Sequence, residues 1–141
     1  MKKNKSNHYV VDGVSYREEF YANGCLKRKR SYVLEGKMLS DTEYFESGVI
    51  SSNWENDGTE WGIFNSFYES GAKFSSGSMY IGFDDNLCSH GEWSWFYESG
   101  VIKETGCYID NEESGVWILY NEDGSEKSRE DKTDSSWLLD D

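Results

Sequence analysis

The stretch GEWSWFYESGVIKETGCYI, Gly91–Ile109, decides how the rest of the chain is read. Trp93, Trp95 and Tyr97 alternate with Glu92, Ser94 and Phe96, a period of two over residues that favour strands. Glu98–Gly100 then supplies a polar turn, with glycine where a tight connection needs positive φ. The segment from Val101 to Ile109 returns as the partner strand. Each segment is short and punctuated by glycine, which argues against a helix. The stretch reads as one β-hairpin.

Its turn recurs along the chain. FYESG stands at Phe67–Gly71 and again at Phe96–Gly100, with YFESG at Tyr44–Gly48 and looser versions at Phe20–Gly24 and Tyr120–Gly124. The closing glycines are spaced by 24, 23, 29 and 24 residues, a period within the roughly 20–50 residues that marks repeat architectures. Three units open on a glycine nine residues earlier: Gly62, Gly91 and Gly115. About five hairpins are expected. A lone hairpin is marginal in water, so the copies must stack and bury their aromatics against one another. The expected fold is all-β, an elongated twisted antiparallel sheet of about five stacked hairpin repeats. The one long spacing predicts an inserted loop, Ile81–His90. Residues 1–7 read as a flexible N-terminus and 8–129 as a single repeat domain. Residues 130–141 read as an acidic tail whose Trp137, Leu138 and Leu139 could fold back as a cap.

Charge is unevenly spread over the 141 residues. Residues 1–37 carry nine Lys/Arg against four Asp/Glu, whereas 38–126 carry two against eighteen, a net of −16. Such a body disfavours nucleic acid and anionic membrane and attracts basic partners; the blander reading is that acidity keeps a repetitive β-protein soluble. The run Lys27–Arg30 reads as edge protection in preference to a nucleic-acid patch. Three cysteines, Cys25, Cys88 and Cys107, without C-x-x-C spacing, fit reduced thiols. With no apolar run long enough to span a bilayer and no signal-peptide h-region, the expectation is a soluble cytoplasmic domain, with a monomer favoured.

The chain offers little for catalysis. Cys88-Ser89-His90 could be imagined as nucleophile and base, but no orienting acid is specified. One Cys and one His fall short of a zinc site. The acidic clusters at Asp84–Asn86, Asp110–Glu113 and Asn121–Glu126 lack EF-hand spacing, and turn chemistry explains them equally well. No catalytic residue, metal or cofactor is expected. Binding remains. Trp93 and Trp117 share one repeat position and read as core. Structure demands repetition, so departures from the repeat are the better candidates for a partner surface. Those departures are Trp54, Trp61 and Trp95, Phe83, Asp84 and Asp85 in the insertion, and Glu92.

The units GEWSWFYESGVIKETGCY, GIFNSFYESGAKFSSGSMY and GVWILYNEDGSEK resemble the variant MORN repeat, roughly G-x-W-x-x-Y-Y-x-N-G followed by Y-x-N-G-x. The resemblance covers about residues 15–127, and the units around Gly24 and Gly48 keep only the aromatics and the final glycine. It implies hairpins in one twisted antiparallel sheet, not a defined site. Bacterial proteins built almost wholly of such repeats are similar to YwqK-type antitoxins and to immunity proteins beside secreted toxins. By that resemblance the expected function is non-enzymatic neutralisation of a basic toxin, such as a nuclease, by direct binding. The alternative is a scaffold joining cellular proteins.

Overall fold

The computed structural model describes residues 5–82 and 86–133. Phe83, Asp84, Asp85, Trp137, Leu138 and Leu139 lie outside the described residues, and the expectations placed on them go no further. Among the described residues eleven strands follow one another: β1 Ser6–Val11, β2 Val14–Phe20, β3 Leu26–Val33, β4 Met38–Tyr44, β5 Ile50–Asn56, β6 Trp61–Phe67, β7 Lys73–Ile81, β8 Leu87–Phe96, β9 Ile102–Ile109, β10 Glu112–Tyr120 and β11 Glu126–Asp131. They form a single open sheet in sequence order, every neighbour antiparallel. Five hairpins close at the five repeated glycines, with β1 as an additional strand at the start.

One local device builds all five turns. The Gly100 N–H donates to the Tyr97 carbonyl (2.8 Å) and the Tyr97 N–H to the Val101 carbonyl (2.8 Å). Gly100 has φ +96° and Gly71 has φ +92°. This is a type I turn closed by a left-handed glycine, a three-residue hairpin loop. The same bond pair recurs at Tyr21, Phe45, Tyr68 and Asn121, and a sixth copy stands at Val33 on the opposite rim. The tyrosine that opens three of these turns also reaches the next hairpin. Tyr21, Tyr68 and Tyr97 donate their hydroxyls to the carbonyls of Tyr44 (2.6 Å), Phe96 (2.8 Å) and Tyr120 (2.7 Å). Phe45, in the second unit, has no hydroxyl to make this bond.

A single sheet buries large rings by laying them on glycines of a neighbouring strand. Trp54, Trp93 and Trp117 are 0%, 6% and 5% exposed. A Cβ on Gly77 would stand 2.1 Å from Trp93, one on Gly106 2.1 Å from Trp117, and one on Gly62 2.7 Å from Trp54. Each indole N–H finds a backbone carbonyl, Trp54 on Met79, Trp93 on Ser78 and Trp117 on Ser114, all at 3.1 Å. The three opening glycines therefore serve two purposes. Gly62 leaves room for a ring, whereas Gly91 and Gly115, at φ +100° and +71°, lie at the register shifts of β8 and β10.

Two expectations are corrected. Both ends of the expected loop are strand: Ile81, Tyr80 and Met79 pair with Leu87, Cys88 and Ser89 and lengthen the β7–β8 hairpin. The Lys27–Arg30 run does not guard an edge. It lies in β3, two strands in, and is held by paired charges: Arg28 with Asp41 (2.6 Å), Lys29 with Glu18 (3.7 Å) and Arg30 with Glu19 (4.0 Å). The first edge is instead β1, where Asn7 and His8 pair with Glu18 and Arg17. At the other edge, pairing persists past β11, with the Lys132 N–H on the Gly115 carbonyl and its ammonium 4.8 Å from the Trp117 ring.

Candidate binding surface

Strand alternation divides the candidate residues between two faces. Trp54 and Trp95 share one face with Phe64, Trp93, Tyr108 and Trp117. There Trp95 lies 5.9 Å from Trp93, 5.4 Å from Trp117 and 6.2 Å from Tyr108. Trp95 is half-buried within this aromatic stack. Trp54 presents no surface at all, so its expected place on a solvent face is corrected: among the described residues it is the one large side chain below 2% exposure. It has the same environment as Trp93 and Trp117, reached from a different repeat position. The missed signal was the glycine eight residues on, Gly62, which vacates the strand beneath the ring.

Trp61 and Glu92 point to the opposite face. Glu92 is exposed across from Cys107. Trp61, 38% exposed, packs against Tyr80 (5.0 Å) and His90 (5.4 Å). The turn between β9 and β10 brings Asp110 into this group, with Asp110 Oδ1 accepting from the Tyr80 hydroxyl (2.8 Å) and lying 3.2 Å from His90 Nδ1. This hydrogen bond, with burial and the nearby carboxylate charge, pushes the Tyr80 phenol up to about 12, because a phenolate would face a carboxylate. Sequence reasoning found no acid for His90. Asp110 is twenty residues away, and only the pairing of β8 with β9 brings it close. The thiol of Cys88 donates weakly to the Asn86 carbonyl (3.9 Å).

Beside Trp61 the same face holds a groove of about 330 Å³, lined among others by Asn53, Glu55, Asp57, Asn65 and Ser78. Asn53 and Asn65 stand directly opposite each other across β5 and β6. The Oδ1 of Asn53 is buried and has no hydrogen-bond partner. Asp57 Oδ1 accepts from the N–H (3.0 Å) and hydroxyl of Thr59, which holds its carboxyl below the usual range and keeps it ionised. At the turn rim the repeat places Glu46, Glu69, Glu98 and Glu122 at equivalent, exposed positions. Neighbouring members of this row are two strands apart, and two strand spacings amount to about 10 Å. Among the described residues, no group of three or more His, Cys, Asp and Glu is arranged to hold a metal ion, and no helix is long and apolar enough to cross a membrane.

Fold and surface together define a β-hairpin repeat protein with an acidic rim. Residues 89–110, most of the β8–β9 hairpin, match the family model described as MORN repeat variant. No curated protein matches the chain. The match supports the repeat type, and with it a repeat module suited to protein binding or scaffolding.

Proposed function

We propose that the chain is a non-catalytic binding module that docks a basic protein, and that its particular role is that of an antitoxin or immunity protein neutralising a toxin stoichiometrically. The observation that carries this reading is the segregation of charge. The three cations Arg28, Lys29 and Arg30 are each engaged by a carboxylate on β2 or β4. The exposed glutamates of the turn rim and the carboxylates beside Trp61 are left to act outward. A field of one sign speeds encounter with an oppositely charged partner, and the exposed aromatic adds a contact that slows its release.

The test is co-purification of the tagged protein at low and at raised salt, with partners identified by mass spectrometry. A stoichiometric basic protein, captured more slowly as salt rises, supports docking. Arrest of growth by that partner alone, relieved by co-expression, supports the antitoxin role. A partner that is acidic or captured independently of salt would overturn the electrostatic reading. A basic partner that is harmless when expressed alone favours the scaffold, to which the open hairpin array is equally suited.

A further inference from the structure

The groove beside Trp61 brings a buried acceptor, two carboxylates and an indole ring together. Its floor holds a buried carbonyl oxygen, Asn53 Oδ1, with no hydrogen-bond partner. Leaving such an acceptor unpaired costs free energy, which a donor entering the groove would recover once the Asn53 amide turns toward it. Glu55 is exposed on its wall, with no ion-pair or hydrogen-bond partner among the described residues. Asp57, also exposed, commits Oδ1 to Thr59. The cation nearby, Lys37, is paired with Glu60 at 3.8 Å. The remaining wall is the half-open ring of Trp61, braced from behind by Tyr80 and His90.

Acceptors, negative charge and an indole face together call for a donor-rich cation. A guanidinium has five N–H donors and no acceptor, is planar, and stacks on aromatic rings, which an ammonium does less well. The volume, about 330 Å³, is at the small end of the roughly 300–1,000 Å³ found for small-molecule sites, which suits one long side chain. We infer that this groove is an arginine pocket, taking the side chain of one arginine from a basic protein partner between Glu55, Asp57 and the ring of Trp61. The inference deepens the docking function proposed above and rests on it for the source of the arginine, not for the chemistry of the pocket.

The test is titration of the full chain with N-acetyl-arginine amide, followed by two-dimensional NMR of the Trp61 indole and the Asn53 and Asn65 side-chain amides. N-acetyl-citrulline amide serves as the neutral isostere. Saturable shifts confined to these groups are expected, with no response to citrulline. Glu55→Gln, which keeps shape and fold, should weaken the affinity about tenfold, the scale of one lost charge-assisted hydrogen bond. Trp61→Ala should weaken it further. Equal shifts from citrulline, shifts spread along the glutamate rim, or an unchanged affinity in Glu55→Gln would overturn the pocket. A response to a neutral disaccharide at the same groups, with none to arginine, would also overturn it. The two proposals fail separately. A co-purifying partner that binds Glu55→Gln and wild type alike removes the pocket and leaves docking. Arginine amide that titrates as expected, with no protein captured, keeps the pocket and removes docking.

Discussion

Between β2 and β4 the sheet is tied by ions: Arg28 holds Asp41 through two hydrogen bonds of 2.9 and 2.6 Å, with Lys29 and Arg30 on neighbouring carboxylates. Between β5 and β10 it is tied by indoles lying on glycines. The turns are the same in both regions, down to the pair of backbone bonds. The comparison shows that turn chemistry sets this backbone, while the faces between turns can be held by either kind of contact. The ionic region should respond to salt and the aromatic region should not, because screening weakens exposed charge pairs and leaves ring burial almost untouched.

The largest effects are expected in the aromatic region. Trp54→Ala should cost about 3–5 kcal/mol, read by urea unfolding, as removal of a fully buried ring does. A cost below about 1 kcal/mol would return Trp54 to the surface role first expected of it. Gly77→Ala should cost about 1–3 kcal/mol by overpacking against Trp93, although Gly77 has ordinary φ. Gly100→Val should cost a similar amount for the opposite reason, since nothing lies within 4 Å and only the φ of +96° is strained.

The ionic region calls for a smaller effect. Asp41, with a side chain only 10% exposed, faces a half-exposed Arg28, so Asp41→Asn should cost about 1–2 kcal/mol, between a buried and a surface pair. In hydrogen exchange, 1 M NaCl should lower protection in β2–β4 of the wild type more than in β8–β10. Equal loss in both regions would erase the distinction. Smaller still are the tyrosine links. Tyr97→Phe should lose about 1 kcal/mol, and Phe45→Tyr should gain up to about as much by restoring the missing bond.

The last effect is silent at neutral pH. A raised phenol favours the neutral form in the fold, so the contribution of Tyr80 is complete below about pH 10 and is lost as pH rises toward 12. Tyr80→Phe should therefore lose less stability than wild type across that window, with ultraviolet titration following the phenolates directly. Identical alkaline profiles would detach Tyr80 from Asp110.

Turn glycines, strand alternation and the number of hairpins were legible from residues alone, because a type I turn closed by a left-handed glycine is specified within five consecutive residues. Gly71 and Gly100 have the positive φ that their turns required. The burial of Trp93 and Trp117 was legible too, since both recur at one position. Tertiary structure alone decided the rest. Trp54 is buried because a glycine on the next strand happens to lie beneath it. Asp110 meets His90, and Asn53 meets Asn65, because of strand register, and a one-residue slip would send either to the other face. Local backbone preference is written residue by residue in the sequence. Which side chains share a face across separate strands is not, because it depends on every turn and bulge that sets the pairing.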